Sequence, residues 1–162
     1  KTKKGLKFEG YDAINKMIIY SNKKKPKQNN IKFKKKDINN INFKNSCLIS
    51  SFYTIQFISP KKRQALINKI YKNLNWGGAF FMVEKVRGPD ARFQDIMSLI
   101  YNEYKIDQGY TSEEIISKSR SLKGVLEPFS SDANIDLAKR AGFNDVMSIF
   151  KYVCFEGFLA IK

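Results

Sequence analysis

The chain has 162 residues, 43% of them hydrophobic and 14% aromatic, with 30 basic and 15 acidic side chains, no histidine and two cysteines. This length and apolar content suit one domain with a buried core rather than a disordered chain. The missing histidine removes a Ser-His-Asp triad and most zinc sites, and two cysteines cannot form a disulfide framework, which points to a reduced, cytoplasmic setting.

Taken in order, short β-rich runs alternate with helical stretches, the signature of α/β architecture. A strand is predicted over 5–11, ending at Asp12, and a helix over 15–24 with Met17, Ile18 and Ser21 along one side. After a turn cluster at 26–30, Ile31 to Lys35 alternates apolar and basic residues like a half-buried strand near a sheet edge. Cys47 to Phe52 is more evenly apolar, as a strand deeper in a parallel sheet would be, with Cys47 as inert packing. Ser59 and Pro60 are placed as N-cap and first helical residue. The helix they open carries Leu66, Ile67, Ile70, Tyr71 and Leu74 on one face, and Gly77-Gly78 ends it before a buried strand at 79–83. A second amphipathic helix begins near Ala91 with Phe93, Ile96, Met97, Ile100 and Tyr104. Thr111 and Glu114 have capping-box spacing for a helix to about Leu122. Ser131 or Asp132 caps one more, which stops at Gly142. Two closing β-rich runs, 146–153 and 155–161, are close enough to pair antiparallel. No apolar run reaches the roughly 20 residues of a membrane helix, and no charged-then-apolar leader opens the chain.

The net charge is +15, and residues 1–45 hold 14 basic against 3 acidic side chains. A basic segment of this kind supplies phosphate contacts in a non-catalytic RNA-binding module, which is one reading. Against it, 25 of the 30 basic residues are lysine, whereas bidentate phosphate and base recognition favours arginine. A solvated lysine-rich surface explains the same count.

Several pieces in fixed order carry more information. Asp12 in "GYDAINKM" follows one strand and Asp37 in "KDINNI" follows the next. Then come "IYKNLNWGGAFFMVEK" and "LAKRAGFNDV". Together they resemble the class I S-adenosylmethionine-dependent methyltransferases, whose Rossmann-like fold has a mostly parallel sheet closed by an antiparallel hairpin. Within that superfamily, "TIQFISPKKRQALINKIYKNLNWGGAF" (54–80) and "QGYTSEEIISKSRSLKGVL" (108–126) are similar to the carboxy-S-adenosylmethionine synthases, enzymes of wobble-uridine modification in bacterial transfer RNA.

The resemblance implies S-adenosylmethionine, or its carboxylated form, as cofactor and prephenate as small-molecule substrate. It implies transfer RNA only indirectly, through a partner enzyme, and it admits a homodimer. Asp12 is similar to the acid that takes the cofactor ribose hydroxyls, as a strand-end carboxylate does in dinucleotide-binding folds. Asp37 is similar to the acid that reads the adenine amino group, with Ile38 giving a backbone donor and an apolar contact. Met17 lies against adenine or is ordinary core. Ala13 stands where the subgroup has asparagine, Phe52 where an asparagine lines the cofactor site, and Ser119 where an arginine grips the extra carboxylate. Arg120 is one residue on, about 100° around the helix. These departures favour a related small-molecule methyltransferase as the alternative.

The family also has a first strand and a glycine-rich loop ahead of Asp12. Nothing between Lys1 and Gly10 fits them, so the chain reads as a single methyltransferase-like domain that begins after that loop. Its strand edges would then be exposed. Apart from the family, the residues offer little acid–base chemistry and no metal site. Glu84 ends a buried strand, facing a pocket or satisfied by backbone donors. Glu113 and Glu114 suit a helix start. Tyr101, Tyr104 and Tyr110 line a pocket, a core or an interface. Such poverty fits alkyl transfer, which is driven by the cofactor's own leaving group.

Overall fold

A computed structural model describes residues 5–27 and 30–162. Of the turn cluster at 26–30, Gln28 and Asn29 lie outside the described residues. The chain forms two compact units, Lys1–Asn42 and Phe43–Lys162.

In the first unit, strand β1 (Phe8–Asp12) and strand β2 (Ile31–Lys35) are joined by helix α1 (Asn15–Lys24). The strands pair in parallel, with Phe8 opposite Ile31 and Asp12 opposite Lys35. Parallel pairing needs a crossover, and α1 supplies it by packing back on both strands. Ile18 is the residue of α1 that is buried, while Met17 is 49% exposed and so is not core. The first strand is shorter than its sequence pattern suggests, because Gly5 has a positive φ of 99° and the ladder begins only at Phe8. Phe8 itself is anchored by its N–H to the carbonyl of Asn30.

The second unit is a four-stranded sheet in the order β3-β4-β6-β5, made of β3 (Ser46–Phe52), β4 (Leu74–Lys85), β5 (Asp145–Tyr152) and β6 (Phe155–Ile161). Strands β3 and β4 are parallel, β4 and β6 antiparallel, and β5 and β6 form the closing antiparallel hairpin. Helix α2 (Pro60–Asn73) makes the crossover between β3 and β4, and α5 (Ser131–Ala141) precedes β5. These two helices pack on each other and cover one face of the sheet. The core lies there: Leu66, Ile67 and Ile70 of α2, Leu137 of α5, Phe80 and Met82 of β4, and Phe158 and Ala160 of β6 are all buried. Each such large side chain stabilises the fold by about 1.5–3 kcal/mol. The opposite face leaves Leu48, Phe52, Met147, Phe150 and Tyr152 exposed.

Helices α3 (Ala91–Asp107) and α4 (Ser112–Leu122) follow β4. The capping box at Thr111 and Glu114 is formed in both directions. Elsewhere the expectations need correction. β3 pairs only with β4 among the described residues, so its apolar run is an edge rather than a deep strand, and Cys47 is exposed rather than packed. Ser59 occupies the N-cap of α2 but its hydroxyl makes no capping bond; Pro60 does sit in the first turn. Helix α2 ends at Asn73, and Gly77-Gly78 lies inside β4, where a Cβ on Gly78 would come within 2.8 Å of the Asn75 carbonyl. Ser130, not Ser131 or Asp132, caps α5, accepting the N–H of Ala133. The amphipathic pattern of α3 predicts a buried face, yet none of its residues is buried.

Candidate functional site

Asp12 and Asp37 of the first unit sit at the carboxyl ends of neighbouring parallel strands, where ligands bind in open α/β sheets. Asp12 ends β1, and its Oδ1 accepts the N–H of Ile14 at 2.7 Å, turning the chain into α1. Its backbone carbonyl accepts from Lys36, which ties the β1 loop to the end of β2. Asp37 follows β2 and caps a 3₁₀ turn, Ile38–Asn40, through Oδ1, which accepts from the backbone of Asn39 at 2.9 Å and from its side chain at 2.8 Å. In each case one carboxylate oxygen holds the loop. The other makes no hydrogen bond among the described residues. Ala13 is exposed between β1 and α1, Met17 is exposed in the first turn of α1, and Ile38 is half-buried. The parallel pairing therefore brings Asp12 and Asp37 to one strand-end edge, beside the start of α1.

Phe52 and Arg120 belong to the second unit. Phe52 ends β3, is 55% exposed and meets Phe81 edge-to-face at 5.5 Å. Any ligand contact it makes is apolar. Arg120 is exposed in the last turn of α4, with Ser119 exposed beside it.

The turn after β3 is held by a network that the residue pattern alone did not reveal. Glu84, 2% exposed near the end of β4, accepts the N–H groups of Thr54, Ile55 and Gln56 at 3.1, 3.0 and 3.1 Å. It is a satisfied strand-end carboxylate. Burial pushes its pKa up to about 7, although the three donors and the charge of Arg63 pull the other way. Gln56 accepts from the N–H of Lys85 through Oε1. Arg63 is 1% exposed and donates to the carbonyls of Ile58, Gln56 and Glu127, with its guanidinium 4.2 Å from the centre of the Phe129 ring. Gln64 bonds to Asn68 and to the carbonyl of Leu137. The string "QF…P..RQ" thus encodes the clamp that joins β3, α2, β4 and the segment before α5. The spacing of Gln56, Arg63 and Gln64 in that string was the available signal; a buried arginine has no periodicity to betray it.

At the carboxyl ends of β3 and β4, Tyr53 and Tyr101 each meet the ring of Phe155 edge-to-face, and Lys85 and Lys105 lie over the ring of Tyr101. Tyr53 holds a positive φ of 50°, uncommon for a non-glycine residue, so the chain turns sharply there. Of the three tyrosines singled out in the sequence, Tyr104 packs against Tyr152 and Tyr110 is exposed.

A carboxy-S-adenosyl-L-methionine synthase of Campylobacter lari is 38% identical over 161 residues, covering 99% of this chain and 69% of that protein. The chain belongs to the carboxy-S-adenosyl-L-methionine synthase family. The synthase of Staphylococcus epidermidis is 41% identical over 133 residues, and that of Campylobacter jejuni 46% over 110 residues. The chain spans 58% and 47% of those two relatives, from matches that cover 82% and 68% of it. No protein-family model matches the chain.

Solved structures give the fold of this synthase-family chain. Human N-acetylserotonin methyltransferase in complex with SAM superposes with a TM-score of 0.62 at 16% identity, covering 98% of this chain and 41% of that one. A SAM-dependent methyltransferase of Thermotoga maritima, a possible histamine N-methyltransferase, gives 0.62 at 17%, covering 95% and 72%. The fold is the Rossmann-like methyltransferase fold, partly parallel with a C-terminal antiparallel hairpin.

Proposed function

We propose that this chain is the methyltransferase-like domain of a transferase that binds S-adenosylmethionine (SAM) and makes carboxy-SAM from it with prephenate. The observation that carries the reading is the pair of carboxylates, Asp12 and Asp37, set at the ends of adjacent parallel strands with one oxygen each unengaged. The donor set suits an adenosine group. Asp12 takes the ribose hydroxyls, Asp37 the adenine amino group, and Ile38 and Met17 the faces of the base, with Ala13 leaving only a backbone contact. Met17 supports this role by being exposed rather than core. Membership of the synthase family supports the reaction.

Bound there, SAM would supply a sulfonium-activated methyl group: in the carboxylation its carbon takes up the carbon dioxide that prephenate releases, its proton leaves with the prephenate hydroxyl as water and the sulfonium is kept, whereas in methyl transfer a neutral thioether leaves. The chain's own task is then to bind, orient and exclude water, which needs neither histidine nor an acid–base pair. Product carboxy-SAM passes to a partner enzyme that acts on transfer RNA, in the cytoplasm, and a homodimer is the working assembly. Ala13, Phe52 and Ser119 favour a second reading, methyl transfer to a small molecule, because Ala13 and Phe52 stand where the synthases have asparagine at the cofactor site and Ser119 where they have the arginine that grips the extra carboxylate. Arg120 is the residue that would replace that grip.

Mass spectrometry of the intact protein incubated with SAM and prephenate decides between the two. Carboxylated cofactor supports the first. Unmodified SAM, together with methylated product in a small-molecule screen, supports the second. Failure to bind SAM at all overturns both.

A further inference from the structure

We propose that Glu84 is a proton-operated latch on the turn after β3: ionised, it holds residues 54–56 and keeps Tyr53 left-handed; protonated, it lets that turn relax. The carboxylate is buried against three consecutive backbone N–H groups. Oε1 accepts from Thr54 and Ile55, and Oε2 accepts from Gln56. Each of these partners is a donor. A proton on either oxygen finds no acceptor among them and weakens that oxygen as an acceptor for the turn. Immediately before the turn, Tyr53 holds a φ of 50°, which a non-glycine residue keeps only where its surroundings enforce it. Its own N–H is tied to the Val83 carbonyl at 2.7 Å, so the latched N–H groups that follow complete the constraint. The Tyr53 ring then meets Phe155 edge-to-face at 5.6 Å. A strained residue between a fixed strand and a releasable turn is the two-state element such a device needs.

The groups around Glu84 leave it free to change charge. Burial pushes its pKa up to about 7, while the three N–H groups and the charge of Arg63 on α2 pull the other way. Both forms are therefore populated near neutral pH. Glu156 of β6 stands opposite Glu84 in the sheet register. Its carboxylate is engaged by Lys151 of β5 at 3.1 Å and by the Ser131 hydroxyl of α5 at 2.5 Å. The Gln56 side chain is turned to the N–H of Lys85. On β3, Cys47 lies at the end away from the turn. Burying the charge lowers global stability, whereas the same charge orders the turn, and the two effects have separate readouts. The inference does not rest on SAM binding, and its test is made without SAM.

The test follows the intact protein, labelled with ¹⁵N and with ¹³C in glutamate, by NMR from about pH 5 to about pH 8, a window spanning the Glu84 titration. The amides of Thr54, Ile55 and Gln56 should titrate together with the Glu84 carboxyl carbon, at one midpoint. Their shifts should exceed those of α3 amides several-fold, and the Tyr53–Phe155 contact should weaken as pH falls. In Glu84→Gln the three amides should lose the titration, and the ring contact should be weak throughout. Amides that stay flat, or whose midpoint differs from that of the Glu84 carboxyl, overturn the proposal. So does a Tyr53–Phe155 contact that is unchanged across the window, or a titration that persists in Glu84→Gln. Should the variant fail to fold, the wild-type midpoints and ring contact decide alone.

Discussion

The carboxylate of Glu84 and the backbone N–H of Ile55 are 3.0 Å apart, although 29 residues separate them in the chain. That bond fastens the turn after β3 to the end of β4, and thereby sets the level of the strand-end surface on which both Tyr53 and Lys85 stand. The energetics of the bond depend on protonation. Glu84 has its folded pKa raised to about 7 from an ordinary value of 4.5. A carboxyl raised in this way contributes stability that is complete below about pH 4.5 and lost as pH rises through about 7, to a limit of about 3 kcal/mol. Urea unfolding midpoints should therefore fall between pH 5 and pH 8. Glu84→Gln, which cannot ionise, should remove most of that slope. A wild-type midpoint that is flat or rising over this range contradicts the prediction.

Arg63 gives a second test of the same clamp. Its side chain donates three hydrogen bonds to main-chain carbonyls, two of them on the turn before α2 and one at Glu127. Arg63→Ala removes all three bonds, leaving the Ile58 and Glu127 carbonyls without that donor while the Gln56 carbonyl keeps the N–H of Glu127, and it empties the space over Phe129. The expected loss is about 3 kcal/mol or more. Arg63→Lys should recover only a part, since an ammonium cannot span three acceptors in the geometry of a planar fork. Thermal denaturation of the two variants measures both; equal stability of Arg63→Ala and wild type would show that the network is dispensable.

Asp12→Asn separates folding from binding. Asparagine keeps a carbonyl oxygen for the Ile14 N–H, so the turn into α1 should persist and the melting temperature should change little. The substitution removes the negative charge and one acceptor oxygen. SAM affinity of the intact protein should fall by about tenfold or more, equivalent to about 1.4 kcal/mol. Calorimetric titration showing unaltered affinity would remove Asp12 from the site.

Gly142 ends α5 in the left-handed region, with φ of 113°, and a Cβ there would meet the Tyr71 ring at 2.8 Å. Tyr71 in turn packs edge-to-face on Phe143, at 4.9 Å. Gly142→Ala should cost about 1–3 kcal/mol, because backbone strain and the displaced ring act together. Denaturant unfolding provides the comparison, and a stabilised variant would refute the account.

The sequence by itself determined the element order, the parallel crossovers, the closing hairpin and the two strand-end acids. These follow from local rules: apolar period, Pro and Gly positions, cap chemistry and short motifs in fixed order. Cap placement slipped by one residue at α5, where Ser130 and Ser131 are chemically equivalent and only the turn geometry chooses between them. The sequence also could not show whether an apolar run is covered. Cys47, Leu48 and Phe52 have the composition of a deep strand, yet burial depends on what lies alongside β3, and only β4 does among the described residues. Likewise α3 has an amphipathic pattern with no buried residue. Only the tertiary structure decided that Glu84, Gln56 and Arg63 form one buried network and that Lys85 and Lys105 share a single tyrosine ring. The physical reason is distance along the chain. Hydrogen bonds and charge pairs between residues tens of positions apart leave no period in the sequence, and they exist only once the sheet has brought strand ends together.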